Sequence, residues 1–397
     1  MTTDHHFFAT TPRGAAGLLA DELRALGAEG VRENPGGVHF DGSLETAYRA
    51  CLWSRTANRI LLTLADFSAP NPDALYEAVA ALPWEDHLDP DGTLAVDVAG
   101  NSPGLTHSQY AAQRVKDAIV DRFRSLMGRR PSVDLKQPDL RLNLHLYGGR
   151  ATLSLDLSGA SLHRRGYRRA GGGIAPLKEN LAATVLLRAG WPTIAAGGGG
   201  LMDPLCGSGT FLIEGALIAG DCAPGWQRDE WGFTGWLGHI PALWTRLYAE
   251  AEERRAAGLA HIPPIMGYDA DPSVVRTALE AVEQIGLGKY IHVEQRELAA
   301  CTAPQAPRGL VVVNPPYGER LGEVSELTGL YARLGEVLKE HFDGWEAAVL
   351  TGNSDLAKRL GLRAWRMHPM DNGPIECRLL RLHITPEWRM TSRPLSN

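Results

Sequence analysis

Apolar and polar positions along these 397 residues recur with two periods, one near two and one near 3.6, and their order divides the chain into two parts. Phe7 to Thr11 reads as a strand, Ala15 to Leu26 as a helix stopped at Gly27, Gly37 to Phe40 as a strand after a Pro35-Gly36 turn, and Leu44 to Trp53 as a helix. This order of short elements predicts a small ferredoxin-like unit over residues 1–45, continued by the segment that follows. A strand over 60–64, a helix over 73–82, a strand over 94–98 and a long helix over 109–127 come next. Two alternating runs, 140–147 and 151–157, flank Gly148-Gly149, which is a hairpin signal. They complete a second α+β unit over residues 46–158.

From Pro176 the pattern changes to helix, glycine-rich loop, then alternating strands and helices. Leu201 leads into Asp203-Pro204-Leu205-Cys206-Gly207-Ser208-Gly209-Thr210, and 211–219 continues as a helix. Short apolar strands are predicted over 265–268, 291–293, 310–313, 347–350 and 376–384, with helices over 273–285 and 327–342. That alternation is the pattern of a doubly wound α/β domain, placed at residues 176–390. Residues 159–175 between the two parts read as a basic linker ending in Gly171-Gly172-Gly173.

Composition adds two constraints. The length calls for two or three domains, and 22% charged with 44% hydrophobic residues is ordinary for a globular chain. Five scattered cysteines without a CxxC pair argue for a reducing compartment and against a disulfide framework or a metal site. With no basic, apolar leader and no run of about 18 apolar residues, the expectation is a cytoplasmic protein without a membrane segment. The whole chain carries −6, yet Arg114 to Ala170 holds 13 Lys/Arg against 5 Asp/Glu. A basic segment on an acidic chain suggests a nucleic-acid footprint. Its last part, Arg164, Arg165, Tyr167, Arg168 and Arg169, mixes cations with an aromatic ring, a composition suited to phosphate and base contacts. A solvated connector is the plainer alternative.

The chemistry centres on Asn314-Pro315-Pro316-Tyr317, which follows the apolar run 310–313. Asn314 offers an amide oxygen, Pro315 a carbonyl, and Tyr317 a flat ring, a set able to hold a planar amine and direct its lone pair to one face. Gly207 and Gly209 let backbone approach a ligand at a helix N-terminus, and the absence of a GK[ST] ending excludes a P-loop. With Asp203 at its entrance, this loop suits a zwitterionic amino-acid tail. Asp269 ends the next strand, where an acid can accept from ribose hydroxyls. It stands 60 residues after Gly209, and the intervening insertion holds Trp226, Trp231, Trp236 and Trp244, which read as packing residues. Glu297 is a candidate acceptor for an adenine amine. Cys206 has no neighbour in sequence that would activate it, and His5 and His6 belong to an exposed terminus.

Taken together, DPLCGSGT, GYDAD at 267–271 and VVVNPPYGERLG at 311–322 resemble the class I S-adenosylmethionine-dependent methyltransferases that methylate amines. SLHRRGYRRA, APLKENLAATVLLRAGW at 175–191, DCAPGW at 221–226 and NGPIECRLL at 372–380 narrow the resemblance to the THUMP-domain N2-guanine methyltransferases of bacterial 23S rRNA. The resemblance implies a Rossmann-like domain with a mixed seven-stranded sheet, and makes the second α+β unit an RNA-binding THUMP domain. It places the methyl donor on Leu177 and Lys178, on Asp203, Pro204, Cys206, Gly207, Ser208, Gly209 and Thr210, on Asp269 and Ala270, and on Glu297 and Asn314. Catalysis falls to Asn314, Pro315, Pro316 and Tyr317, with 23S rRNA or a pre-ribosomal large-subunit particle as partner and no metal. Glu297 departs from the aspartate common in this family. A tRNA guanine, an adenine N6, a protein glutamine amide, or a noncatalytic assembly role stay open from the residues alone. No second glycine loop or NPPY follows before Asn397, so only one methyl-transfer activity is implied.

Overall fold

The computed structural model describes residues 5–168, 177–306, 308–318 and 323–385, with side chains from 327 onward in the last stretch. It separates into two compact units. The first comprises the chain up to Thr11, Leu19–Leu162 and Arg228–Ala249, and the second Pro12–Leu18, His163–Gln227 and the chain from Glu250.

In the first unit the elements are β1 (His5–Thr10), α1 (Ala16–Ala25), β2 (Glu29–Asn34), β3 (Gly37–Gly42), α2 (Leu44–Trp53), β4 (Arg59–Ser68), α3 (Pro72–Ala80), β5 (Thr93–Asn101), α4 (Ser108–Met127), β6 (Ser132–Val133), β7 (Leu140–Tyr147) and β8 (Arg150–Asp156). One sheet runs through all of them in the order β2-β3-β1-β4-β8-β7-β5-β6. The long strand β4 joins its two halves, pairing Leu62 with Phe7 of β1 on one side and with Leu155 of β8 on the other. Strand β2 escapes hydrophobic patterning because it is an edge strand, exposed along nearly all of Glu-Gly-Val-Arg-Glu-Asn. The Gly148-Gly149 turn takes φ of 56° and 80°, the positive pair a tight hairpin needs. Residues of the tryptophan insertion complete this unit's core. Tyr48 packs on Phe233 at 4.4 Å and bonds His239 at 2.8 Å, while Trp236 donates to His87 at 3.0 Å. Trp231 and Trp236 are thus packing residues with their faces covered.

The second unit holds α5 (Glu179–Arg188), α6 (Trp191–Ala196), β9 (Gly200–Asp203), α7 (Thr210–Ala219), β10 (Ile265–Asp269), α9 (Pro272–Gln284), β11 (Ile291–Gln295), β12 (Gly309–Val313), α10 (Glu323–His341), β13 (Glu346–Thr351), α11 (Ser354–Arg359), β14 (Arg366–Asn372) and β15 (Ile375–His383). The helix α8 (Pro241–Gly258) leads from the insertion into it. Its sheet has the order β11-β10-β9-β12-β13-β15-β14, parallel through β13 and antiparallel at β15 and β14. Alternate residues of β12 feed two separate cores. Leu310 and Val312 pack with Leu212, Leu217 and Val282, whereas Val311 and Val313 pack with Tyr331, Leu334 and Phe342. Burial on both faces explains the unbroken apolar runs of the central strands. Strand β14 carries no such run, and its Pro369 is tolerated because it lies at the sheet edge.

Candidate active site at the carboxyl edge of the second sheet

Strands β9, β10, β11 and β12 are neighbours and parallel, so their carboxyl ends open on the same edge. Asp203 ends β9 and Asp269 ends β10. Glu297 follows β11 and Asn314 follows β12. The order reverses between β9 and β12, which is where ligands bind in sheets of this kind.

The loop from β9 to α7 is held mostly by backbone. The Cys206 N–H donates to the Tyr268 carbonyl at 2.8 Å, and that of Gly209 donates to the Cys206 carbonyl at 2.9 Å. Asp269 accepts from Gly207 N–H at 3.0 Å with one carboxylate oxygen and from Asp271 N–H at 3.1 Å with the other. Gly207 and Gly209 have φ of 53° and 77°, conformations that side chains rarely adopt. A Cβ on Gly209 would lie 3.3 Å from that of Ala278, while one on Gly207 would meet nothing within 4 Å. Open space therefore lies over the first glycine. Asp203 is buried and accepts from Leu205 N–H at 3.1 Å, and burial, with Asp269 adding to it, pushes its carboxyl well above the usual range. Burial likewise drives the Cys206 thiol far up, away from the thiolate that a nucleophile needs. Pro204 is buried and Ser208 half-buried, its hydroxyl 3.4 Å from that of Thr210. Leu177 is buried and Lys178, at the N-cap of α5, is exposed. Ala270 and Glu297 are exposed at the rim, the Ala270 carbonyl accepting from Gln295 at 3.1 Å.

At the end of β12, Asn314 is half-buried, Pro315 buried and Pro316 exposed. Tyr317 donates its hydroxyl to the Asn314 side-chain oxygen, and burial pushes this phenol well above its ordinary range. Its ring lies against Gly352, where a Cβ would stand 3.0 Å from the ring edge. Tyr331, Thr351 and Asn353 also surround this loop, and none of them stands out in the sequence. The available signal was positional: Thr351 and Asn353 occupy and follow the carboxyl end of the next parallel strand.

Burial goes against the expected surface role for two residues of the basic connector. Arg165 and Tyr167 are each 1% exposed, so neither offers a surface to phosphate or base. Arg165 lies 3.6 Å from Glu214 of α7, to which Tyr167 donates at 3.2 Å. Arg168 pairs with Glu179 at 3.3 Å, donates to the Leu177 carbonyl at 2.9 Å and reaches the Thr210 hydroxyl. These three side chains are tied to α7 and to the start of α5 rather than turned to solvent. Arg164 is exposed, and Arg169 lies outside the described residues. The net charge of the segment from Arg114 is also largely spent within the first unit. Arg114 pairs with Asp73 at 3.0 Å, Arg122 with Glu85 at 2.6 Å and Arg141 with Asp97 at 3.0 Å, while Arg129 and Arg150 pair with Asp91 and Asp66. Counting along the chain overstated the field because the compensating acids sit at 66–97. Arg130 and Lys136 are exposed and outside any ion pair among the described residues.

Among the described residues no group of three or more His, Cys, Asp or Glu is placed to hold a metal, and no helix is long and apolar enough to cross a membrane. Strand order, glycine loop and acids at the strand ends define the second unit as a class I methyltransferase domain. Residues 165–381 match the model of the RMKL-like methyltransferase domain, and the chain belongs to that family. Residues 6–61 match the RlmL ferredoxin-like domain and 69–156 the THUMP domain. The chain is 57% identical over 384 residues to ribosomal RNA large subunit methyltransferase K/L of Syntrophotalea carbinolica, a match covering 96% of this chain and 54% of that protein. It thus spans about half the length of that relative. The crystal structure of SMU.472 complexed with SAH superposes with a TM-score of 0.84 at 30% identity, covering 96% of this chain and 99% of that one. A predicted N6-adenine-specific DNA methylase from Listeria monocytogenes gives 0.84 at 32% identity, covering 97% of each.

Proposed function

We propose that this protein transfers a methyl group from S-adenosylmethionine to the exocyclic N2 amine of a guanine in 23S rRNA, as naked RNA or within an assembling large-subunit particle. The observation that carries this reading is the pair of acceptors at the end of β12. The Asn314 side-chain oxygen and the Pro315 carbonyl adjoin a loop able to hold the donor, and no described residue donates to that carbonyl. Bound there, S-adenosylmethionine supplies an electrophilic methyl on a sulfonium that departs as a neutral thioether.

The chain's residues fit that group. The carboxylate of Asp269 would accept from ribose hydroxyls, Asp203 would face the ammonium, and the open space over Gly207 admits the carboxylate end near the α7 N-terminus. Asn314 and Pro315 would accept the two amine hydrogens and so turn the nitrogen lone pair toward the side on which the donor's methyl would be held. The proton that the amine gives up would pass to solvent water. Positioning contributes most of the acceleration, since the leaving group needs no activation. A paired base cannot present this amine, so the guanine is extruded, and Tyr317 would stack against it for about 1–3 kcal/mol.

The choice of guanine N2 over the adenine N6 in the Listeria protein's name rests on the higher identity to the rRNA enzyme and on the resemblance carried by the motifs around the site. The decisive experiment incubates the purified protein with 23S rRNA and isotope-labelled S-adenosylmethionine and maps the product by mass spectrometry. Label recovered as N2-methylguanosine at one position supports the proposal. Label on adenine, or none on any RNA, overturns it.

A further inference from the structure

The loop that leaves β12 carries two prolines after Asn314, and since these have no N–H groups, that stretch can be held by hydrogen bonds only through its carbonyls. Two side chains do this. Tyr331 of α10, fully buried, donates to the Pro316 carbonyl at 3.2 Å and lies 3.0 Å from the Thr351 hydroxyl. Asn353 donates its side-chain N–H to the Tyr317 carbonyl at 3.3 Å. The same asparagine is the N-cap of α11, its side-chain oxygen accepting from Asp355 and Leu356 N–H at 3.0 and 3.1 Å. Thr351 links the two, accepting from Asn353 N–H at 3.1 Å. The carbonyls of Pro316 and Tyr317 are therefore engaged, while that of Pro315 accepts from none of the described residues.

We propose that Tyr331 and Asn353 are positioning residues that clamp the loop by its last two carbonyls, so that the Pro315 carbonyl and the Asn314 oxygen stay aimed at the target amine. The proposal rests on the methyl-transfer reading given above. Among the described residues no hydrogen bond joins either side chain to the glycine loop, so the clamp acts on turnover and leaves the donor's binding alone. Releasing one carbonyl lets the loop shift by a fraction of an ångström to about 1 Å, a displacement that costs a reaction up to about 10²-fold.

Two conservative variants separate this role from a structural one. Tyr331→Phe keeps the buried ring and removes the donor. Asn353→Asp keeps an N-cap of equal quality and replaces the donor with an acceptor. Each is expected to lower kcat by at least about 10-fold with KM for S-adenosylmethionine within about twofold of wild type. Hydrogen exchange at Asn314, Tyr317 and Gly318 should accelerate severalfold in both. If Asn353 is only a helix cap, Asn353→Asp retains wild-type kcat and exchange, and the proposal fails. A parallel rise in KM for S-adenosylmethionine also overturns it, since that locates the damage in the donor site. Should Tyr331→Phe not fold, Asn353→Asp decides alone. Exchange is read without substrate, so a wild-type protein inactive on RNA would refute the methyl-transfer reading while leaving the clamp itself to be judged by exchange.

Discussion

Replacing Arg165 by alanine leaves the buried Glu214 carboxylate with Tyr167 as its hydrogen-bond donor and the like-charged Glu179 nearby, and the size of the damage follows from burial. Glu214 is 0% and Arg165 1% exposed, so solvent screens neither. Removing one partner of a buried ion pair costs about 3–5 kcal/mol. For a unit of roughly 200 residues, each kcal/mol lowers Tm by about 2–4 °C, so the transition of the second unit should fall by roughly 6–20 °C. Calorimetric scans of variant and wild type at pH 7 measure this. RNA affinity measured across a salt series should keep the wild-type slope in Arg165→Ala. An unchanged Tm together with a slope lower by about one phosphate contact would show that Arg165 serves RNA and that its burial has been misread.

Asn314→Ala should leave S-adenosylmethionine binding near normal and lower methyl transfer by about 10²-fold, the scale of a lost preorganised polar contact; unchanged turnover removes Asn314 from the reaction. Asp269→Ala should weaken S-adenosylmethionine binding by about 10²-fold in calorimetry, because two charge-assisted hydrogen bonds at about 1.5 kcal/mol each are lost, and undiminished affinity refutes the ribose assignment. The raised pKa of Asp203 sets a pH dependence. As pH falls through it, the carboxylate that would face the donor's ammonium is neutralised, so affinity should drop at a higher pH than an ordinary aspartate, near 4, would dictate. The same acid, protonated more readily in the folded than in the unfolded chain, subtracts stability as pH rises above the unfolded value. An Asp203→Asn variant should flatten both trends.

Local pattern was sufficient for whatever depends on neighbours in the chain. The apolar run 310–313 and the two glycines at 207 and 209 announced a buried parallel strand and a strand-to-helix loop, because both states are set by periodicity and backbone freedom. The NPPY tetrapeptide likewise carried its chemistry in its own residue types. Edge elements were illegible for the converse reason: β2 and β14 bury little, so their residues were never constrained to alternate. Tertiary structure decided where charge and aromatic residues point. The arginines of the connector looked like a surface until Glu214 and Glu179 were found against them, and the cations from Arg114 onward looked unopposed until residues 66–97 came to lie beside them. Tyr331 and Asn353, 14 and 36 residues beyond Tyr317, became part of the loop only by folding onto it. Sequence by itself determined which chemical groups the site contains, since those are properties of residues. Only the fold determined which of them remain available, because an acceptor or a charge is spent or free according to what packs against it, and that is a relation between distant parts of the chain.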